Sequence, residues 1–436
     1  MPKGKGVADL LIKGGRVVDA TGSRGADVLV RDGVVVAVGP GLTAAPGSTV
    51  LDAGGSVVAP GLVDLHTHLR QPGREEVETV ETGARAAAVG GYTAIVAMPN
   101  TDPAIDCAAV VREVLELGSG APCDVRTAGA ITKGRRGEEL APMTEMAALG
   151  VRIFTDDGRG VQDPRLMRRA MEYASTLGVT LAQHCEDEAL AGGGHMHEGE
   201  WSSRLGIPGV PAEAEELMVM RDVALARLTA PLGGRLHFQH LSTAGSLAIV
   251  GAAKGRGLGV TAEVTPHHMS LTDAAVASYD PVFKVNPPLR SSADVEAVRQ
   301  ALASGTVDAI ATDHAPHAQE DKERPFDQAP PGMLGLETAL AVALTDLDLP
   351  IERVLALLSW QPARIAGLES THGGPIAEGR PANLCVIDAS AVWLVEASHS
   401  FSRSRNTPFA GRKLTGRVRH TVLWGEPVVV DGEPQR

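Results

Sequence analysis

Cysteine is scarce in this 436-residue chain, and the four present, Cys107, Cys123, Cys185 and Cys385, form no CxxC pair and no disulfide-like spacing. That excludes a disulfide framework and points to reduced thiols in a cytoplasmic protein. Long apolar runs are missing too: no stretch approaches the roughly 18 residues that a membrane helix needs. The start, "MPKGKGVADLLIKGG", has two lysines in its first five residues but no apolar h-region, so no secretory signal is expected. Positive charge is in deficit, with 40 Lys and Arg against 53 Asp and Glu and a net charge of −13. This argues against nucleic acid or an anionic membrane as the main partner, while a small anionic substrate still fits a locally positive site. No GxGxxG opens a helix after the first strand-like run, which weakens a dinucleotide-binding reading.

What is present describes a folded globular chain: 44% hydrophobic and 21% charged residues, with 50 glycines and 28 prolines suited to many tight loops. The length calls for a large domain plus a smaller one. The first ~55 residues are short β-branched runs broken by Gly and Asp-Gly turns, which is hairpin chemistry. The end of the chain, with "ANLCVIDAS" and "TVLWGEPVVVDGE", reads the same way. Residues 1–59 and 372–436 are therefore expected to build one small β-rich domain, a β-sandwich, from both termini.

Between them, residues 60–371 alternate apolar strand-like runs ("YTAIVAMPN", "VRIFTDD", "VTLAQHCED", "RLHFQHLS", "GVTAEVTPHH", "VDAIATDHAPH") with helix-like segments such as "DPRLMRRAMEYASTLG" and "DVEAVRQALASG". Alternation sustained over about 300 residues favours an α/β fold of the (β/α)8 barrel type over an open doubly wound sheet. The strand-like runs end in His, Asp or Asn. Barrel enzymes build their sites at the carboxyl ends of the strands, so these polar residues should converge in one mouth.

The first of these ends is "VDLHTHLRQPG", after the apolar "SVVAPGLV". If Val57 to His68 is extended, His66 and His68 point to one side and can share a metal ion. Alone, such a pair is equally well a pair of ordinary surface or core histidines. Collecting the other strand ends adds an aspartate from Asp156–Asp157, His184, His240 and Asp313. Four imidazoles and two carboxylates suit zinc, and they are too many for one tetrahedral ion, so one or two zinc ions are expected, with two favoured. Two metals roughly 3.5–4 Å apart lower the pKa of water so that a nucleophile exists at neutral pH. A second HxH, His195 and His197 in "GGGHMHEGE", lies in a glycine-rich stretch and reads as surface loop. His267 and His268 read as packing around the site, and Cys185 as a small core residue.

The chain resembles the amidohydrolase superfamily and, within it, dihydroorotases of the longer bacterial type. The resemblance rests on "APGLVDLHTHLRQPG", "AMPNTDP", "FTDDG", "QHCED", "HLSTAGS", "EVTPHH", "KVNPPLR", "ATDHAPH", "GLET" and "SRNTPFAGRKLTGRV", and runs almost end to end. It implies interconversion of dihydroorotate and N-carbamoyl-L-aspartate in pyrimidine synthesis, with His66 and His68 on one zinc and His184 and His240 on the other. Asp313 would ligate the first zinc and act as general acid/base. Arg70, Asn100 and His317 would hold the substrate carboxylate, and Asn286 and the backbone at Gly332 would pair with the ring amide. A homo-oligomer, and aspartate carbamoyltransferase as a partner, are also within the implication.

One departure stands out. Many amidohydrolases bridge their metals with a carboxylated lysine, but "VRIFTDD" has Arg152 and no lysine. An aspartate must then bridge, and spacing to "QHCED" favours Asp157 over Asp156. The competing readings are a hydantoinase, dihydropyrimidinase or allantoinase, which normally keep the lysine and act on rings without a free carboxylate. A catalytically silent subunit supporting aspartate carbamoyltransferase is another, although silent forms are expected to lose metal histidines. The segment "HAQEDKERPFDQAPPG", polar and proline-bounded, reads as a lid.

Overall fold

A computed structural model describes residues 9–436; Lys3 and Lys5, and with them the first half of the stretch read for a secretory signal, lie outside the described residues. The expected strand Val57–His68 divides at Gly61 into Val57–Pro60 and Leu62–Thr67. A Cβ on Gly61 would overlap the Thr93 side chain, so only glycine lets the chain pass there. The first piece joins a sheet built from the termini, and the second opens the central unit.

The central unit takes its strands in chain order: β1 (Leu62–Thr67), β2 (Tyr92–Ala97), β3 (Asp124–Thr127), β4 (Ile153–Phe154), β5 (Thr180–Gln183), β6 (Arg235–Phe238), β7 (Val260–Val264) and β8 (Ala309–Ile310). β1–β3 form one parallel sheet and β4–β8 another. Isolated parallel bridges, Gly129 to Phe154 and Thr67 to His314, join the sheets at both edges. The second brings the ends of β1 and β8 together, with the His68 N–H donating to His314 O at 2.9 Å.

Most of the strands are buried on both faces, as a parallel sheet between two layers requires, while β3 alternates half-buried with buried residues. Ile95, Leu181, Phe238 and Ile310 pack with the surrounding helices. Their neighbours Val96, Ala182, Ala309 and Ala311 share a separate cluster with Leu65 and Ile153. The helices start and stop where local chemistry dictates. Pro164–Leu177 begins with proline behind an Asp163 cap that accepts from the Arg165 and Leu166 N–H groups, and it ends at left-handed Gly178. Met167, Ala170, Met171 and Ala174 form its buried stripe.

Of the remaining two larger sheets, one comes from the N-terminal residues alone and the other from both termini. Leu10–Lys13, Asp27–Arg31, Val34–Gly39 and Thr49–Asp52 make a four-stranded sheet. Seven strands make the other, among them Arg16–Asp19, Val57–Pro60, Leu384–Leu394 and Lys413–Leu423. Leu10, Ile12, Val28 and Leu51 from the first share one core with Val17, Val58, Val386 and Val422 from the second. Among the described residues no helix is long and apolar enough to cross a membrane. All four cysteines are free, and Cys185 lies in the core.

Candidate metal centre and substrate site

Strand-end residues distant in sequence meet around one carboxylate. Asp157 Oδ1 lies 3.3 Å from His66 Nε2, 3.6 Å from His184 Nδ1 and 3.5 Å from His240 Nε2, and Oδ2 lies 3.6 Å from His68 Nε2. Two overlapping groups able to hold an ion result, His66–His68–Asp157 and Asp157–His184–His240, all buried. Asp313 Oδ1 adds a contact of 2.9 Å to His68 Nε2 and one of 3.6 Å to His66 Nε2. Asp156 turns away: its carboxylate accepts from the N–H groups of Ile131 (2.8 Å) and Thr132 (3.0 Å) and from the Thr132 hydroxyl.

Burial alone would push the Asp157 carboxyl up, but the His66 charge and contacts from His184, His240 and His66 outweigh it and hold it well below the usual range. Asp313 behaves alike: burial raises it, while His66 and His68 bring it far down. Both are therefore ionised at neutral pH, the state in which a carboxylate can ligate a metal or accept a proton. The donor set also fits a divalent ion. His66 Nε2 is buried and faces Asp157 without a hydrogen-bond partner, and imidazole nitrogens with carboxylate oxygens are the ligands zinc takes.

Three site residues carry backbone strain. Arg70 (φ 62°), His240 (φ 33°) and Asp313 (φ 46°) are non-glycine residues in the left-handed region. Such residues cost roughly 1–3 kcal/mol each and persist where their surroundings over-determine them. Asp64 supplies part of that support. Fully buried two residues before His66, it accepts from the Thr312 N–H (2.9 Å) and hydroxyl (2.6 Å) and from the Thr67 hydroxyl (2.6 Å). It thus ties the end of β1 to the residue before Asp313. The sequence signal was a lone carboxylate inside an apolar run.

The proposed substrate residues lie beside the ion pocket. Arg70, half-buried, donates from Nε to Pro316 O at 3.1 Å, and its other guanidinium nitrogen lies 3.4 Å from His317 Nε2. Burial and neighbouring Arg74 lower its pKa to about 10, which leaves it cationic at neutral pH. Burial and Arg70 push His317 well down, so it is neutral; its Nε2 faces Pro331 O at 2.8 Å and its Nδ1 is unpartnered. Asn286 Nδ2 is 3.5 Å from His184 Nε2.

The other two residues assigned to the substrate have protein partners as well. Asn100 Oδ1 accepts from His68 Nδ1 at 2.9 Å, which leaves Nε2 as the His68 nitrogen that could face an ion. The Gly332 N–H is committed to Lys284 O at 2.9 Å, and its carbonyl accepts from Asn406 Nδ2 at 3.1 Å. Asn406 also donates to Ala315 O (2.9 Å) and accepts from the His317 N–H (3.2 Å). One buried side chain from "SRNTPFAG" therefore stitches the loop after Asp313 to the loop carrying Gly332, a role the motif alone did not reveal.

The segment read as a lid is docked. Lys322 Nζ donates to Pro281 O (3.0 Å) and Pro330 O (2.9 Å), Lys284 Nζ to Phe326 O (2.8 Å) and Asp327 O (3.0 Å), and Arg74 pairs with Asp321 at 2.9 Å. Neither His195 nor His197 joins the ion groups. The stretch is not wholly loop, because Met196–His197 pairs with Gly209–Val210 and His197 contacts Arg290 at 3.2 Å. His268 bonds to Thr265 and Pro287 and is structural.

A family model described as "Dihydro-orotase-like" matches residues 55–246. A dihydroorotase of Streptomyces coelicolor is 51% identical over 97% of this chain and 99% of its own length. The chain belongs to the dihydroorotase family. A dihydroorotase of Anaeromyxobacter dehalogenans is 49% identical over 98% of the chain and 99% of its own, and one of Mycobacterium tuberculosis is 48% identical over 93% and 95%. As a dihydroorotase-family member it is an enzyme, a cyclic amide hydrolase. Among solved structures, an L-hydantoinase from Arthrobacter aurescens superposes with a TM-score of 0.87 over 98% of both chains at 26% identity. A dihydropyrimidinase from Brevibacillus agri gives 0.84 at 23% identity, over 98% of this chain and 96% of that one, a likeness of fold alone. The fold is thus that of the hydantoinase-type amidohydrolases, while the sequence sides with the dihydroorotases.

Proposed function

We propose that this chain catalyses the reversible, zinc-dependent opening of (S)-dihydroorotate to N-carbamoyl-L-aspartate, a step of cytoplasmic pyrimidine (UMP) biosynthesis. The observation that carries the reading is the convergence of four imidazoles and two ionised carboxylates beside one buried-edge arginine. His66, His68 and Asp313 would hold one zinc and His184 and His240 the other, with Asp157 shared between them. Bound zinc supplies Lewis acidity, which lowers the pKa of water and polarises the amide carbonyl.

The remaining work falls to side chains of this protein. Asp313 takes a proton from the attacking water onto its carboxylate and returns it to the ring nitrogen as the amide C–N bond breaks; closure runs the same path backward. Arg70, with His317, orients the substrate carboxylate, because the guanidinium fork matches two oxygens. Asn286 and the remaining acceptor capacity at Gly332 pair with the ring amide. Asn100 acts through His68 in this reading and meets the carboxylate with its amide nitrogen. Residues 60–371 constitute the closed (β/α)8 barrel, and 1–59 with 372–436 the small β-sandwich domain. A homo-oligomer, with aspartate carbamoyltransferase as a partner, completes the proposal.

A hydantoinase shares the fold but has no use for a buried-edge arginine aimed at a carboxylate. Arg70→Lys distinguishes the two readings. It keeps the charge and loses the fork, so KM for dihydroorotate should rise about 10- to 100-fold, the loss of a charge-assisted hydrogen bond. Steady-state kinetics on dihydroorotate and on an uncharged ring such as dihydrouracil provide the check. An unchanged KM for dihydroorotate places the carboxylate clamp elsewhere, and faster turnover of the uncharged ring by the parent enzyme favours the hydantoinase.

A further inference from the structure

A buried network below the ion pocket has no part in the chemistry described so far. Glu263, on β7, is fully buried; its Oε1 lies 2.8 Å from His66 Nδ1 and its Oε2 2.9 Å from His237 Nε2. His237 Nδ1 in turn lies 2.8 Å from the Thr261 hydroxyl. Glu263 and His66 stand on strands with β8 between them. The inner residues of that intervening stretch are the alanines Ala309 and Ala311, small enough to let the carboxylate reach across.

A carboxylate oxygen only accepts, so both histidines must donate to it. With both rings neutral, the state in which His66 can give a lone pair to a metal, one consistent set of protons follows: Thr261 O–H to His237 Nδ1, His237 Nε2–H to Glu263, and His66 Nδ1–H to Glu263. The His66 lone pair is then at Nε2, the buried atom that faces Asp157 and lacks a hydrogen-bond partner. A competing group is present. Gln239 holds its amide nitrogen 3.3 Å from the same His66 Nδ1, with its oxygen occupied by the Thr155 hydroxyl at 2.6 Å. Left to Gln239, His66 would accept at Nδ1 and carry its proton on Nε2, where it blocks ligation.

We infer that Glu263 is a positioning residue that sets the tautomer and orientation of His66 against Gln239, and so sets zinc affinity. The inference rests on the reading of His66 as a zinc ligand. Neighbours that orient a ligand in this way are typically worth 10- to 100-fold in metal affinity.

The test is zinc affinity of the metal-stripped protein, measured by competition with a chromophoric chelator, with thermal melting of the same zinc-free samples. Glu263→Gln preserves shape, but an amide has one accepting oxygen, so it cannot receive protons from both histidines. Zinc should bind about 10- to 100-fold more weakly while the zinc-free melting temperature stays near the parent's. Gln239→Leu removes the competing donor and should hold or tighten zinc binding, which keeps the question decidable if Glu263→Gln does not fold. Parent-like zinc affinity in Glu263→Gln, or a comparable loss in Gln239→Leu, overturns the assignment. His66→Ala separates the two levels: if it keeps full zinc affinity, the ligand reading fails and takes this inference with it. If His66→Ala loses zinc and Glu263→Gln does not, only the role of Glu263 falls.

Discussion

Asp313→Asn should lower turnover of dihydroorotate by about 10²–10⁴-fold, the usual worth of a positioned proton carrier. The substitution is nearly isosteric, and the residue is buried with its Oδ1 2.9 Å from His68. Asp64, which grips Thr312, keeps the backbone in place. An amide oxygen can still approach an ion, so much of the metal should remain. What disappears is the capacity to take a proton, which the carboxylate has because His66 and His68 overcome burial and hold it ionised. Metal analysis alongside the kinetics separates the two functions. Near-normal turnover in a fully metallated variant would remove Asp313 from the mechanism.

Asp157→Ala should have the second large effect, and it is an effect on metal before rate. One carboxylate faces all four imidazoles. Without it the His184–His240 side has two ligands, a poor set for zinc, which favours four. That side should empty first. Asp156→Ala is the matched control. Its carboxylate serves the Ile131 and Thr132 N–H groups, so metal content should stay nearly unchanged. Stability should drop, by about 1–3 kcal/mol for each buried donor left unpaired. Zinc analysis and thermal melting of the pair decide the matter: zinc loss in Asp156→Ala with retention in Asp157→Ala reverses the assignment, and two zinc ions in both variants means another group bridges.

The candidate ligands were legible because strand-end position and residue type are both local signals. Alternation put His66 and His68 on one side, and the runs "VRIFTDD", "VTLAQHCED", "RLHFQHLS" and "VDAIATDHAPH" each carried an imidazole or a carboxylate at the strand end. The structure brings those rings together, with His66 and His68 5.2 Å apart and His184 and His240 4.6 Å apart. Side chains that act through partners far along the chain were not legible. Asp64 meets Thr312, Asn406 meets the loops at 315–317 and 332, and Glu263 meets His66. No periodicity announces such pairs, because their meaning lies in a tertiary contact. Backbone commitments are equally silent: nothing in "PPGMLGLET" shows that the Gly332 N–H is already given to Lys284 O. The break at Gly61 was hidden for another reason, since an apolar run buried on both faces reads as continuous whichever sheet each half joins.

Zinc titration of the metal-stripped chain, followed by dihydroorotate ring opening in bicarbonate-free buffer, tests the central claim most directly. The account predicts an inactive stripped protein whose activity returns with zinc, levels off near about two equivalents as a two-metal site requires, and does not depend on bicarbonate because Asp157 takes the place of a carboxylated lysine. Full turnover by the stripped chain, or recovery only when bicarbonate is added, would contradict it.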